Sequence, residues 1–365
     1  MTRVGLVGTG FIAKVYAEKM NALPNVRLQA CADILRDRAT AFAKEHAIPQ
    51  VLSVDELLTG RDVDVVLNLT IPQAHFEVSL AALEAGKSVF CEKPLALTLA
   101  DGKRLLAAAE KAKVRLGCAP DTFLGAGLQT CRKLIDEGAI GEPVAANGFM
   151  LSPGPEGWHP SPAMYYQRGA GPVFDMGPYY LTAFVLLFGP ARRITSSARI
   201  THPERTIGSE PLRGQKIKVE VPTHVASVID FASGPIASLV TSFDVKVSRH
   251  RFIEVQGTEG VMAVPDPNTF GGDVQIRKSY RDDWQTVPLT HGNASQSRGI
   301  GLADMVSGMQ SKRPHRASGT LACHVLDMME SAIAASDAGR HVTLTTTCER
   351  PAPLPAGLPD DVFEG

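Results

Sequence analysis

Val4-Gly5-Leu6-Val7-Gly8-Thr9-Gly10-Phe11-Ile12-Ala13 is the stretch whose reading decides the fold. The apolar run Val4–Val7 reads as a strand, and Ile12–Met20 begins an amphipathic helix. Between them lies a dinucleotide-type glycine turn. Gly8 permits the tight turn, Gly10 lets the backbone approach a pyrophosphate, and Ala13 takes the third small position, where helix and strand pack closely. The phosphates would rest on the helix N-terminus, and Phe11 and Ile12 of the same loop count among the cofactor contacts. Alone, the pattern is weak, and a plain turn is the competing reading. A strand before it and a helix after it supply the required context.

Outward from that turn, strands alternate with helices to about residue 120. Arg27–Ala32 is a second strand and Arg36–Glu45 a helix, and Ser53-Val54-Asp55-Glu56 is a capping box. Asp64–Leu69 is a buried strand, Phe76–Glu84 a helix closed by Gly86, and Ser88–Cys91 a strand. Thr98–Lys111 is helical and Val114–Cys118 is another strand. The alternation predicts an α/β Rossmann domain, a doubly wound parallel sheet with helices on both faces. Beyond 120 the texture changes. Leu128–Ile135 is helical, and Ser152–Pro172 is rich in Pro, Gly and aromatic residues, which suits a binding loop. Met176–Phe188 is a helix stopped by Gly189-Pro190. Strand-like runs follow near Arg193–Ile200, His224–Phe231, Ile236–Asp244, Phe252–Gln256 and Val274–Arg277. Two helices, about 300–310 and 320–337, precede an irregular Pro-rich tail. The chain thus divides into domains 1–120 and 121–365.

The 365 residues suffice for roughly two domains of ~150 residues each. With 44% hydrophobic and 21% charged residues, the composition is that of an ordinary globular protein. Lys and Arg number 37 against 38 Asp and Glu, a balance that gives no support for a nucleic-acid partner. No apolar run approaches the ~18–20 residues of a membrane span. The glycine turn follows the first strand at once, so no secretory signal is expected. The six cysteines form no CxxC pair, and no His/Cys cluster has zinc spacing, so no metal is expected. Buried free thiols in a cytoplasmic protein fit this pattern.

The chemistry-bearing residues gather at expected strand ends and in one loop. Asp33 ends the second strand. An acidic group there accepts hydrogen bonds from ribose hydroxyls and repels a 2′-phosphate, which favours NAD over NADP. Arg36 and Arg38 pull the other way, and an N-cap role for Asp33 is the structural alternative. Thr70, Pro72 and His75 follow the strand that ends at Leu69, on the same edge as Gly10. His75 either lines the cofactor cleft or sits at a helix start. Cys91-Glu92-Lys93-Pro94 closes another strand at the edge where open α/β sheets bind ligands. A Lys there, with a Pro fixing the backbone, can reach a substrate beside a nicotinamide. Asp175-Met176-Gly177-Pro178-Tyr179-Tyr180 opens a helix. In one reading Asp175 is an N-cap and the tyrosines pack. In the other, Asp175 and Tyr179 share a helical face, and an ammonium such as that of Lys93 lowers the tyrosine pKa from its usual ~10 towards that of a working base. Trp158, His159, Tyr165 and Tyr166 lie in the Pro-rich loop. They are candidates for stacking on sugar CH faces and bonding hydroxyls, or for simple packing.

The glycine turn at 8–13, Glu92-Lys93-Pro94 and Asp175-x-Gly177-x-Tyr179 occur in the order and spacing of the Gfo/Idh/MocA oxidoreductase family, the group of glucose–fructose oxidoreductase and inositol dehydrogenase. The chain resembles that family over nearly its whole length. The resemblance implies a Rossmann domain followed by a substrate-binding and oligomerisation α+β domain with a large, mostly antiparallel sheet. It also implies a homodimer or homotetramer that pairs through that sheet. Lys93 matches the family lysine near the nicotinamide, and Asp175 the aspartate that orients substrate. Tyr179 stands where many members have a catalytic histidine, and Tyr180 competes with it for the inward position. Asp121-Thr122-Phe123 replaces a common Asn-x-Arg pattern. The implied activity is an NAD(P)-dependent dehydrogenase of a sugar, sugar derivative or cyclic polyol. Alternatives are an NAD-dependent glycoside hydrolase with retained cofactor, and a non-catalytic sugar or nucleotide sensor.

Overall fold

The alternation of the first 120 residues closes into a six-stranded, all-parallel sheet in the computed structural model, which describes residues 1–364. Its elements, in chain order, are β1 (Thr2–Val7), α1 (Ala13–Ala22), β2 (Val26–Ala32), α2 (Arg36–Glu45), β3 (Gln50–Val51), α3 (Val54–Thr59), β4 (Val65–Asn68), α4 (Pro72–Glu84), β5 (Ser88–Cys91), α5 (Leu99–Ala112) and β6 (Leu116–Cys118). The order β3-β2-β1-β4-β5-β6 puts the topological reversal between β1 and β4, the switch point where such sheets bind ligands. β4 and β5 are buried at every residue, as strands covered on both faces must be. The capping box at Ser53 and Glu56 is formed as read. α4 begins earlier than expected, at Pro72, whose fixed φ suits a first helical position.

The second unit is built on a nine-stranded sheet. Its elements are α6 (Ala126–Asp136), β7 (Pro143–Leu151), α7 (Gly171–Asp175), α8 (Gly177–Phe188), β8 (Ala191–Arg199), the ribbon strands β9 (Glu204–Thr206) and β10 (Lys216–Lys218), β11 (His224–Phe231), β12 (Ile236–Ser242), β13 (Ile253–Gly257), β14 (Gly260–Val264), β15 (Val274–Arg277) and β16 (Gln285–Val287). After α9 (Ile300–Ser311) and α10 (Gly319–Ala338), β17 (Val342–Thr343) adds the last strand. The order is β16-β15-β14-β13-β7-β12-β11-β8-β17. Every pairing is antiparallel except β7 with β12. The large, mostly antiparallel sheet is therefore as expected.

The sequence reading assigns no strand to β7, which lies inside this sheet. Ala145, Ala146, Asn147 and Gly148 are weak strand formers, and packing overrides them. A Cβ on Gly148 would sit 3.0 Å from both Leu239 and Phe184 and 3.4 Å from Tyr180. The glycine is what lets α8 lie close on the sheet. α8 itself is buried at all its residues, the signature of a core helix.

The compact units are not two successive halves of the chain. α9 packs beside β6, so the first unit takes residues 1–125, 291–326 and the chain from 354 onward. The second takes 126–290 and 327–353. The sequence reading instead divides the chain once, near 120. Among the described residues no helix is long and apolar enough to cross a membrane.

Candidate active site

The glycine turn has the geometry its residues require. Gly8 sits at φ 95°, and a Cβ there would lie 2.6 Å from the Leu69 carbonyl oxygen. Only glycine fits. A Cβ on Gly10 would meet nothing within 4 Å. The space over Gly10 is open, and no side chain caps the N-terminus of α1. A helix start with uncapped N–H groups beside an open glycine backbone is shaped for a pyrophosphate. Phe11 at the tip is exposed.

Asp33, past the end of β2, is fixed by this same turn. Oδ2 accepts from the N–H and the hydroxyl of Thr9, both at 2.9 Å, and Oδ1 accepts from the Leu35 N–H at 2.9 Å. Burial works to raise the Asp33 pKa. The bonds from Leu35 and Thr9, with the Arg38 charge, outweigh it and hold the carboxyl below its usual range. Arg38 stands 3.8 Å away, and its side chain is half exposed. The N-cap alternative fails, because the cap position of α2 is Leu35 and no side chain caps that helix. A carboxylate offers about four acceptor sites. Three are used, so one on Oδ1 remains for a ribose hydroxyl. Thr9, the residue that aims this carboxylate, carries no signal in the sequence beyond its place in the turn.

Asn68, fully buried at the end of β4, organises the turn from that strand into α4. Its amide donates to the His75 carbonyl at 3.0 Å and to Ser79 Oγ at 2.9 Å, and its Oδ1 accepts from Thr70 N and Oγ1. The expectation that His75 lines the cofactor cleft needs correcting. The residue is 1% exposed, and its ring nitrogens lie 2.7 Å from the Pro94 carbonyl oxygen and 3.0 Å from that of Thr70. Burial lowers its pKa. In the first turn of α4, the imidazole faces inward and ties the loop after β4 to the Glu92-Lys93-Pro94 turn. A lone His in sequence gives no sign of which way it faces.

Glu92 is anchored on both carboxylate oxygens. Tyr16, buried in α1, donates to Oε1 at 2.7 Å, and the Lys93 N–H donates to Oε2 at 3.0 Å. Burial first, and Glu92 second, push the Tyr16 hydroxyl pKa up, which keeps it a donor. Gly8, Gly10, Asp33, Thr70, Glu92 and Lys93 thus all lie at C-terminal strand ends of the one parallel sheet.

Asp121, after β6, holds the start of a helix in the same unit. It is buried, and Oδ2 accepts from Gly299 N at 2.8 Å and Gly301 N at 3.0 Å, capping the start of α9. Thr122 and Phe123 are buried as well. Burial raises the Asp121 pKa to about 6, against the opposing pull of those N–H donors and Arg298. A raised pKa means that its contribution to stability is complete below the ordinary value and is lost as pH rises through about 6. Asn at this position keeps an oxygen for both N–H groups and does not titrate. The stability of Asp121→Asn relative to wild type is therefore expected to improve between pH 4 and pH 7. Urea midpoints across that range check it, and a flat difference would mean that the buried carboxyl does not titrate there.

In the second unit, Asp175 closes α7 and Met176 caps α8. Asp175 is therefore not the helix N-cap allowed for in the sequence. Tyr180 is 2% exposed, and its hydroxyl donates to the Phe149 carbonyl on β7 at 3.2 Å. Burial pushes its pKa up. That tyrosine is occupied by the sheet. The loop after β7 carries an aromatic row, with ring centres of Trp158 and His159 5.4 Å apart and those of His159 and Tyr165 5.0 Å apart, both edge-to-face. Trp158 is exposed. His159 Nδ1 accepts from Ser161 N at 3.0 Å, so its Nε2 carries the proton in the neutral ring. Tyr166 is fully buried and donates to Glu156.

A parallel doubly wound sheet, an open glycine cradle at its switch point and an ionised acid at the end of its second strand define a dinucleotide-binding protein. Comparison with known proteins gives the family. Residues 2–119 match the model of an oxidoreductase family with an NAD-binding Rossmann fold, and residues 128–263 match the GFO/IDH/MocA C-terminal domain. The chain is 34% identical to 1,5-anhydro-D-fructose reductase of Ensifer adhaerens over 266 residues, 71% of this chain and 74% of that one. It is 29% identical to inositol 2-dehydrogenase 3 of Saccharopolyspora erythraea, covering 78% and 79%. A solved NAD-binding oxidoreductase from Klebsiella pneumoniae superposes with a TM-score of 0.81 at 23% identity, over 94% of this chain and 99% of that one. The protein belongs to the Gfo/Idh/MocA oxidoreductase family, whose Rossmann domain binds NAD, and it is an enzyme, an NAD(P)-dependent oxidoreductase acting on CH–OH groups.

Proposed function

We propose that the protein interconverts a secondary alcohol and a ketone on a sugar, anhydrosugar or cyclic polyol, and that it prefers NAD to NADP. The observation that carries the cofactor preference is Asp33, a carboxylate kept ionised by Thr9 and Leu35 beside the glycine cradle. Names of relatives that act on an anhydro sugar and on inositol support the substrate class. Gly8, Gly10, Phe11, Ile12, Thr70, Pro72 and the Glu92-Lys93 turn contribute the remaining cofactor contacts. The nicotinamide, when bound, supplies the hydride acceptor or donor.

The protein's own groups handle the proton and the orientation. Tyr179 takes the proton of the reacting hydroxyl, Lys93 stabilises the developing alkoxide, and Asp175 bonds a neighbouring hydroxyl and sets the face presented. Trp158 and Tyr165 offer ring faces to the sugar, and His159 offers Nε2–H. The same proposal includes a cytoplasmic location and a homodimer or homotetramer through the second unit's sheet. Exposed Val228 and Ile236, on one face of the paired strands β11 and β12, support that pairing.

The test is NAD and NADP reduction over a panel of aldoses, inositols, anhydrosugars and glycosides. NADH should form with at least one sugar or polyol, and silence over the whole panel would defeat the reading. Asp33→Ser gives the finer check. It removes the ribose acceptor and loosens Thr9, so kcat/KM with NAD is expected to fall by ~10-fold or more, while the ratio shifts towards NADP. A wild type that already prefers NADP would hand the site to Arg36 or Arg38.

A further inference from the structure

Arg205, on β9, is only 9% exposed. Such burial of a guanidinium is costly unless its donors are met; here all four Nη hydrogens have acceptors, and Nε has none. Nη1 donates to the Pro153 carbonyl at 3.2 Å and to Glu156 Oε1 at 2.6 Å. Nη2 donates to the Phe243 carbonyl at 3.0 Å and to Asp244 Oδ1. The guanidinium carbon lies 5.3 Å from the Tyr166 ring centre, and the Tyr166 hydroxyl donates to Glu156 Oε2. One side chain therefore grips the beginning of a loop, at Pro153 and Glu156, and through Glu156 and the ring it grips the end, at Tyr166. Trp158, His159 and Tyr165 lie between these two points.

Independent ties back the same segment. Gly208 N and Ser209 N donate to the Glu156 carbonyl at 2.9 and 3.1 Å, and Glu220 N donates to that of Tyr166 at 2.9 Å. Ser209 Oγ donates to the His159 carbonyl at 2.5 Å. Gly154 is at φ 97°, and a Cβ there would lie 2.4 Å from both Glu156 Oε2 and the Tyr166 hydroxyl. The segment is built to close on the carboxylate that Arg205 holds. Glu156 and Asp244 share this one cation, with Thr223 Oγ1 donating to Asp244 Oδ2 at 2.7 Å. Loss of the cation would leave two sheltered carboxylates close together, an arrangement that drives the loop off its seat.

We infer that Arg205 is a positioning residue that fixes the aromatic row Trp158–His159–Tyr165 in one geometry and so sets which sugar the enzyme accepts. This rests on the proposed function, in which that row contacts the substrate. Arg205 acts through the loop and not on the reacting atoms.

The experiment compares wild type with Arg205→Met, Arg205→Lys and Glu156→Gln. It measures kcat and KM over the sugar panel, NAD affinity by titration, and amide exchange across residues 154–166. Arg205→Met should raise the sugar KM by ~10-fold or more and flatten the preference among sugars, with a smaller effect on kcat. NAD affinity should stay within about twofold, because the glycine cradle and Asp33 belong to the other unit. Exchange across 154–166 should accelerate. Arg205→Lys should recover part of the loss, since it restores charge without the fork. Glu156→Gln, an isosteric change, should give the same pattern in milder form even if Arg205→Met does not fold. Unchanged sugar KM and preference in these variants, with an active wild type, would overturn this inference alone. Unchanged exchange would also overturn it, by removing the clamp. A wild type inactive on every sugar would overturn the functional reading and this inference with it.

Discussion

Tyr179→Phe should lower kcat by ~10²–10⁴-fold with little loss of folding. The substitution keeps the ring and deletes only the ionisable hydroxyl. The ring is packed in α8, where Tyr179 is 6% exposed, so a Phe retains nearly all the contact. The matched control is Tyr180→Phe. It gives up the 3.2 Å bond to the Phe149 carbonyl, a loss of about 1 kcal/mol in stability, and should turn over substrate normally. Burial raises the Tyr180 pKa, the wrong direction for a base at neutral pH. A crippled Tyr180→Phe beside an active Tyr179→Phe would exchange the two roles. If both variants remain active, proton transfer belongs elsewhere, and His159 is the next residue to test.

Lys93→Met should reduce kcat by ~10²-fold or more while NAD affinity changes little. The lysine follows β5, and its backbone is set independently of its side chain. Glu92 N donates to the Asn68 carbonyl at 2.9 Å, Lys93 N donates to Glu92 Oε2, and Tyr16 holds the other oxygen of Glu92. Removing the ammonium therefore leaves the turn in place. In the proposed mechanism what is lost is charge opposite an alkoxide that exists only on the reaction path, and such a loss appears in kcat. Cofactor titration beside steady-state rates separates the two effects, and near-normal turnover would remove Lys93 from the mechanism.

Much of the framework of both units is readable in the sequence because its signals are local. A glycine turn, a capping box and short β-branched runs each announce themselves within a few residues, and α2, β5, β11 and β15 lie where the pattern puts them. β7 is invisible by the same logic. Its middle residues, Ala145 to Gly148, are poor strand formers, and its parallel partner β12 lies far along the chain. Its place depends on α8 needing Gly148 beneath it. The return of α9 to the first sheet is equally non-local.

The site shows the same division. Gly8, Gly10, Asp33, Glu92 and Lys93 lie at the strand ends where the sequence puts them. The orientation of a side chain is not legible from such positions. The sequence leaves open whether His75 lines the cofactor cleft and which of Tyr179 and Tyr180 points inward, and both His75 and Tyr180 are buried against backbone carbonyls. Thr9 and Arg205 act through bonds to residues distant in the chain, for which no spacing rule exists, and the bonds of Asn68 to Thr70, His75 and Ser79 are local but not announced by its residue type.

The most direct test of the central claim is a stoichiometry. The enzyme, incubated with NAD and the best substrate of the panel deuterated at its carbinol carbon, should form one NADH per ketone produced, with the deuterium carried on the NADH released. Turnover that yields product without net NADH, or NADH without the label, would contradict a dehydrogenase that passes hydride from the sugar alcohol to a freely exchanging cofactor.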